Sequence, residues 1–460
     1  MGRNRKVVII GGGASGIMAA IMAAREGCDV TILEHKDRVG KKILMTGNGK
    51  CNLTNTSSIE GKYYGNDIDR IYKIINSYPS EKTKDFFRGI GLYTKEKRDG
   101  GIYPVSEQAS SVLDALRTEC RHLGINILTD CDVTKIVPEK KIVEYTKYIR
   151  AVSDTQTNMS AGKSGSKNRT VGGNEFVSEN GKNKKNGKVK VPDIIGKENT
   201  KIKYDSLVIA AGSKAASVSG SDGSGYRLAK ELGHTVIEPL PALVQLKCEG
   251  NYFKSIAGVR AQAELALLID GKCHAKQEGE LQLTEYGISG IPVFQFSRIA
   301  ARAIYEKKKC SVEINFVTYM SETQAKELTD DCKKLEYKTI EELLGGLVHK
   351  KIAILVCKMM NLKTDTPVAE LSKKSIAECI NMMQHFKVKV TEANSFDNAQ
   401  VCSGGIPLSE IDDNMQSVIH SGIYFAGEIL DCDGICGGYN LQWAWATGAI
   451  AGKGAGNDNN

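Results

Sequence analysis

The chain lacks any long apolar run: no hydrophobic stretch reaches the ~18 residues that a membrane-spanning helix needs, so a helical membrane span is not expected. It is also poor in patterns that announce metal chemistry. Seven histidines are scattered over 460 residues, none at the short spacings of a metal site or a catalytic triad. The 13 cysteines are odd in number and show no framework spacing. Cys432 and Cys436 form C-x-x-x-C without a second cluster nearby, so no metal is expected. Unpatterned thiols suit a reducing compartment. With a first strand beginning at Lys6 and no leader pattern before it, a cytoplasmic protein is expected.

A strong charge of one sign is missing too, once the net +8 is located. Between Arg150 and Lys203 there are 12 Lys and Arg against 5 Asp and Glu, a surplus of seven, which leaves about one positive charge for the rest of the chain. That segment is rich in Lys, Asn, Gly and Ser. It holds few arginines or aromatics to stack on bases, so residues 151–200 read as a disordered insertion or hairpin extension and no stable nucleic-acid partner is expected.

What the chain does have begins at once. Lys6 to Ile10 (KVVII) is a β-branched run suited to a buried parallel strand. Gly11, Gly13 and Gly16 follow as G-x-G-x-x-G, then a helical pattern from Ala14 stops at Gly27. A second strand, Val30 to Leu33, ends in Glu34, 18 residues after Gly16. Strand, glycine turn, helix, strand and acid in this order make a dinucleotide-binding unit. The turn approaches the pyrophosphate, the helix N-terminus faces its charge, and the acid accepts from a ribose. By itself the unit leaves FAD and NAD open.

Further on, the loop 40–55 (GKKILMTGNGKCNLTN) combines glycines, small polar residues and lysines in the manner of an anion nest. Helices are expected over 68–89 with a break at Pro79, and over 106–123; GGIYP (100–104) reads as a turn. Strands follow at 125–128 and 132–137, then YDSLVIAAGS (204–213). From 242 to 318 the apolar period is two, as in Val312/Ile314/Phe316, with a hairpin signal at Asp270-Gly271 and a helix near 294–307. Residues 321–386 are helical in pattern, and 387–392 is a strand expected to return to the first domain. Near the C-terminus, YFAGE (424–428) ends a short strand, and GGYNLQ (437–442) opens a small-residue helix.

The chain resembles the BaiN/YhiN-like NAD(P)/FAD-dependent oxidoreductases, flavoproteins labelled 3-dehydro-bile acid reductase or aminoacetone oxidase. The resemblance rests on KKILMTGNGKCNLTN, LVIAAGS with GSDGSGYRLAKELGHTV, GELQLTEYGISGIPVFQFSR, CSGGIPLSEID and YFAGEILDCDGICGGYNLQWAWATG, and covers nearly everything outside 150–200. It implies an α/β fold: a Rossmann-like, glutathione-reductase-like FAD-binding domain in three parts (1–150, 201–241, 387–460), a β-rich insert (242–320) and a helical subdomain (321–386). It also implies that Gly11, Gly13, Ala14, Ser15 and Gly16 hold the pyrophosphate and Glu34 the ribose. Lys42 and the loop through Gly47, Asn48, Gly49, Cys51, Asn52, Leu53 and Thr54 would lie against pyrophosphate and flavin, and Val133 would meet the adenine. Gly212, Gly427, Glu428 and Asp431 would line the FAD, with Gly438, Tyr439, Asn440 and Leu441 at the flavin edge.

The activity implied is reduction of an activated C=C bond, such as a steroid or bile-acid enone, with NADH or NADPH as donor to a small-molecule acceptor. The alternatives are an amine or aminoketone oxidase using O2, an RNA-associated flavoprotein and a flavin sensor. Tyr103, Tyr286 and Tyr439, all near glycine turns, are the candidate proton or hydrogen-bond donors. Arg298 reads as a substrate-carboxylate anchor or a structural ion pair, His234 as structural, and His385 as a further catalytic candidate. No second complete G-x-G-x-x-G unit is present for the nicotinamide donor; Gly220–Gly225 is G-x-x-G-x-G. Oligomeric state is not legible in the sequence.

Overall fold

The protein is described by a computed structural model covering residues 4–97, 99–151 and 193–457. Its central sheet has five parallel strands in the order Ile423–Phe425, Ser206–Ile209, Lys6–Ile10, Asp29–Leu33 and Asn126–Leu128. Neighbours in this sheet come from distant parts of the chain: Val8 pairs with Leu207, which pairs with Ile423. Strands covered on both faces must be apolar throughout, and Val7, Val8 and Ile9 are fully buried.

The expected first helix forms as Ala14–Arg25. The expected C-terminal helix runs longer than its apolar core, over Tyr439–Asn457. These two helices pack on each other through backbone. A β-carbon on Gly448 would stand 2.5 Å from the carbonyl oxygen of Ser15, and one on Gly452 would collide with that of Ala19. Contacts advance together along both chains, so the helices are parallel. At the level of Ala14 the C-terminal helix has already run about eight residues, and it therefore extends about 12 Å beyond the start of its neighbour at 1.5 Å per residue.

The β-rich part closes into a barrel of Leu246–Cys248, Gly287–Ser289, Lys272–Thr284, Arg260–Ile269, Cys310–Asn315 and Phe386–Ala393. Alternate residues Ala263, Leu265, Leu267, Val312 and Ile314 are buried, as the period of two requires. Asp270 and Gly271 both take positive φ (48° and 81°), the geometry of a tight hairpin turn. Helix Ile291–Tyr305 packs against the barrel strands. Helices Glu322–Asp331, Ile340–Gly345, Lys350–Met359 and Lys373–Gln384 share the barrel's apolar core. Capping boxes at Ser321/Gln324 and Thr339/Glu342 start two of them.

Two readings change. The 387–392 strand forms as Phe386–Ala393, but it closes the barrel by pairing with Leu246–Cys248 and Cys310–Asn315 instead of joining the first sheet. Its alternation buries Phe386, Val388 and Val390 on one face only, which suits a barrel and not a sandwiched sheet. The GGIYP stretch is a strand, Gly101–Pro104, held between Thr54–Asn55 and Thr94–Glu96 because Ile102 has a core to enter. Of the 151–200 segment, residues 152–192 lie outside the described residues, whereas Ile194–Lys203 is a strand paired along Ile142–Arg150.

The helix crossing leaves no room for a side chain. Gly448→Val is expected to destabilise the protein by about 1–3 kcal/mol, the usual cost of overpacking, read as a lowered urea midpoint with an unchanged m-value.

Candidate functional site

The glycine turn is shaped by Glu34. The backbone N–H of Gly12 donates to Oε2 of Glu34 at 2.7 Å, and that of Lys36 donates to Oε1 at 2.7 Å. Burial pushes the carboxyl up, and the two backbone donors oppose that rise. Sequence reasoning gave Glu34 one task, the ribose; the structure adds that it fixes the turn itself. Gly12, the middle glycine of the run, has no space for a side chain against Val39. Gly13 differs: a β-carbon there would meet nothing within 4 Å. The helix begins at this open position with no side-chain cap and no acidic residue in its first turn, which is the arrangement that receives an anion.

The second helix start lies about 12 Å further along the same direction. The loop from Gly47 to Thr54 is fastened to it. Thr54 Oγ1 donates to Oε1 of Gln442 at 2.6 Å, and Trp445 Nε1 donates to the carbonyl of Leu53 at 2.9 Å. Gln442 also accepts from Thr83 and donates to the carbonyl of Tyr78, so one buried amide ties three elements. Asn440 braces the turn before the helix by bonding both backbone groups of Gly434 at 2.8 Å. Gly47 and Asn48 take positive φ (55° and 54°), as does Cys51 (57°). The Cys51 thiol is fully buried and pushed up to about 11 by that burial, which makes it an inert packing group. Leu441 packs against the core.

One atom in this region is unpaired within the protein. Asn52 Oδ1 is buried without a hydrogen-bond partner, and it lies 2.8 Å from the position a β-carbon on Gly438 would take. A buried orphan acceptor is rare in folded proteins. It fits a ring N–H lying at the start of the C-terminal helix. Two parallel helix starts, staggered by about the reach from a pyrophosphate to a flavin ring, suit one long dinucleotide.

Between the two starts, Lys42 Nζ and Ser213 Oγ both donate to Oε2 of Glu428, at 2.6 and 2.9 Å. Gly427 is held by Thr447 Oγ1 on its N–H and by Trp443 Nε1 on its carbonyl. Gly212 lies beside Ser221. Asp431 is engaged by the N–H of Asn66 at 3.0 Å. The Val133 carbonyl accepts from Arg227, and His35 sits between Asp132 and Asp222 at 3.8 and 3.9 Å beyond Glu34. The Gly220 position faces Lys36 and Glu34 and so belongs to this same cleft.

The three tyrosines are not brought together. Tyr103 lies against Gly47, Gly101 and Asn52, with Lys97 Nζ 4.4 Å over its ring. Tyr439 is buried in the first turn of the C-terminal helix, edge-on to Tyr63 at 5.6 Å. Burial raises both phenols, so both are protonated at neutral pH. Tyr286 is exposed at the barrel rim, where its hydroxyl accepts from Asn394. His385 is exposed beside Glu313, and His234 is enclosed by Glu410 and Ser417.

Arg298 makes an ion pair. It grips Asp433 with Nε at 2.8 Å and Nη2 at 3.2 Å, stacks over Tyr64 and reaches Ser403. This joins the insert helix to the segment that leads into the flavin-side turn. Gln442 and Asp433 were not singled out in the sequence, although each lies two residues from a predicted site residue (Asn440 and Asp431), because their partners Thr54, Thr83, Tyr78 and Arg298 are distant in the chain.

A nucleotide-binding turn, a second helix start in line with it and a β-rich insert define a two-part dinucleotide oxidoreductase. The chain belongs to the HI0933-like protein Rossmann domain family, whose pattern matches residues 5–179 and 177–454. It is 38% identical over 454 residues to a 3-dehydro-bile acid delta(4,6)-reductase of Clostridium scindens, covering 98% of each chain. It is 25% identical over 451 residues to a ribosomal RNA dihydrouridine synthase of Haemophilus influenzae, covering 97% of each. A counterpart of the latter in Escherichia coli is 21% identical over 441 residues, covering 96% of this chain and 95% of that one. The protein is an oxidoreductase of the FAD-dependent kind, and the open Gly13 position and the unpaired Asn52 Oδ1 fit that cofactor.

Two outcomes are expected here. Glu34→Ala should raise the Kd for FAD by about 10- to 150-fold, since hydrogen bonds to a charged group contribute roughly 1.5–3 kcal/mol; FAD titration of deflavinated protein measures it. The Asp433 carboxyl is pushed up to about 6, chiefly by burial and against the pull of Arg298. Its folded pKa therefore lies above the unfolded one, and the stability it contributes is present below about pH 4 and lost as pH rises through about 6. Wild type should lose on the order of 2–3 kcal/mol across that window relative to Asp433→Asn, read from urea melts at stepped pH.

Proposed function

We propose that this protein reduces a C=C bond conjugated to a carbonyl in a steroid-like small molecule, with NADH or NADPH as the electron donor. The observation that carries this reading is the 38% identity, over 98% of both chains, to a protein named for reducing a bile-acid dienone. Its more distant relatives are named for making dihydrouridine, and the uracil bond reduced in that product is also conjugated to a carbonyl. The two names differ in substrate and agree in bond chemistry.

Bound FAD would supply the hydride chemistry that such a reduction needs. The chain's own residues have the complementary tasks. Gly13 to Gly16 and Glu34 hold the dinucleotide at one end, and Asn52 and the turn before Tyr439 hold it at the other. A carbonyl oxygen that gains negative charge during reduction needs a protonated donor, and Tyr103 beside Gly47 and Tyr439 in the first turn of the C-terminal helix are protonated phenols at this end of the site. The donor nucleotide takes the same cleft as the acceptor, in turn, since the 220–225 turn is no second complete G-x-G-x-x-G unit and its Gly220 faces Glu34 and Lys36.

The reading is tested with anaerobic FAD-loaded protein. NADH or NADPH is expected to bleach the flavin absorbance, and a 3-oxo-4-ene steroid to restore it well above the rate in buffer. A flavin that bleaches only with amines, or that no enone reoxidises, would overturn it. Loss of uridine absorbance in ribosomal RNA under the same conditions would favour the second reading, reduction of RNA, which the relatives named as ribosomal RNA dihydrouridine synthases support.

A further inference from the structure

The five-stranded sheet has a second end. Its glycine turn follows Ile10, at the C-terminal ends of the strands, which is where sheets of this kind hold their ligands. Lys6 and Asp205 stand at the opposite end, at the starts of Lys6–Ile10 and Ser206–Ile209. At ~3.3 Å per residue that is about 15 Å from the turn. A cavity of about 370 Å³ opens beside Lys6 and Asp205, lined further by residues 139–141, Lys203 and Tyr204.

Three connections meet at this cavity. Residues 138–141 join strands Cys131–Val137 and Ile142–Arg150, Lys203 ends Ile194–Lys203, and Tyr204 and Asp205 lead into Ser206–Ile209. Backbone groups hold them together. The N–H of Tyr204 donates to the carbonyl of Lys141 at 3.0 Å, and that of Asp205 to the carbonyl of Lys6 at 2.8 Å. The N–H of Lys6 donates to Oδ2 of Asp205 at 2.7 Å. The cavity is therefore framed by main-chain pairing, with the exposed side chains of Glu139, Lys140, Lys141 and Lys203 at its rim.

The lining is unbalanced in two independent ways. Tyr204 is 4% exposed, and its hydroxyl is buried without a hydrogen-bond partner among the described residues. Buried polar groups are nearly always paired. Burial, with Glu139 adding to it, pushes this phenol up to about 12. The hydroxyl therefore keeps its proton at neutral pH and has a hydrogen bond to give. The second imbalance is charge: four ammonium groups share the cavity with two carboxylates, a surplus of two positive charges. Among the described residues Lys6, Lys140 and Lys203 make no ion pair, and Lys141 Nζ reaches only the carbonyl of Asp205, at 3.4 Å. Like charges gathered without partners repel. One anion would answer both the charge and the orphan hydroxyl.

We propose that this cavity binds the phosphate monoester of a small polyhydroxylated molecule. A monoester carries close to two negative charges at neutral pH, which matches the surplus. Its oxygens accept from Tyr204 and lie among the ammonium groups. Glu139, which makes no ion pair among the described residues, accepts from a ligand hydroxyl. A nucleic-acid diester carries one charge per phosphate and matches less well. The site is separate from the cofactor cleft and independent of the reductase reading.

The test is calorimetric titration of FAD-loaded full-length protein near neutral pH, with the dinucleotide cleft already filled. Ribose 5-phosphate is expected to bind at one site per chain, inorganic phosphate about tenfold more weakly, and ribose not at all. Lys140→Gln/Lys203→Gln should weaken ribose 5-phosphate about tenfold, as the loss of two exposed charges allows. Tyr204→Phe should weaken it by a similar factor, since it removes a hydrogen bond to a charged group. Without ligand, Tyr204→Phe should leave the thermal midpoint unchanged or raise it, because no hydrogen bond within the protein is lost. No binding of ribose 5-phosphate, or equal binding in wild type and both variants, would overturn the proposal. A Tyr204→Phe protein with a lowered midpoint and unchanged affinity would make the hydroxyl a structural group and overturn it too. So would an RNA oligomer with free hydroxyls at both ends that binds more tightly than ribose 5-phosphate and is lost in the double variant.

Discussion

The structure depends on one contact, the backbone-to-backbone packing of its first and last helices. Gly448 and Gly452 lie on Ser15 and Ala19 with no side chain between them, and that closeness sets both the distance and the stagger of the two helix starts. A bulkier crossing would splay the helices and move the second start away from the line of the first. Parallel alignment adds the two partial positive charges to one side of the cleft. A ligand with a charged middle and a hydrogen-bonding ring is then read by two ends of the same chain.

Around this crossing, buried polar side chains act as fixed pins. Gln442, Trp443, Trp445 and Thr447 lie within two turns of the C-terminal helix, and each bonds backbone or a side chain of another element. Such groups are costly if unsatisfied, so each pin holds its loop in one place. Arg298 and Asp433 extend the same logic to the insert: a paired charge in a buried setting is tolerated only where its partner is, and this ties the barrel's helix to the flavin-side turn.

Much of this was legible in the residues, for reasons that differ by element. Lys6–Ile10, Gly11–Gly16 and Glu34 could be read because strand period, glycine spacing and acid position are local and reinforce each other. The hairpin at Asp270-Gly271 was readable for the same reason. The strand Phe386–Ala393 was visible as a strand, yet its partners were not, because pairing is decided by residues more than 70 positions away in Cys310–Asn315 and farther still in Leu246–Cys248. Residues 100–104 looked like a turn because their two glycines outweigh the single buried Ile102. Of the site, the glycine positions carried a signal. The second task of Glu34 and the pins at Gln442 and Asp433 did not, since each is a tertiary encounter between residues that look ordinary in sequence.

The central sheet has a consequence for how the protein is made. Its middle strands come from residues 6–10 and 206–209, and its edge from 423–425. During synthesis the first strand and glycine turn emerge early, with no partner on one side and no second helix to cover them. The barrel and its helices, which share a separate core, are complete before the final strand and helix leave the ribosome. A complete nucleotide site therefore needs residues 423–457 as well as residues 6–34. A truncated product would carry a folded barrel and an unassembled nucleotide site.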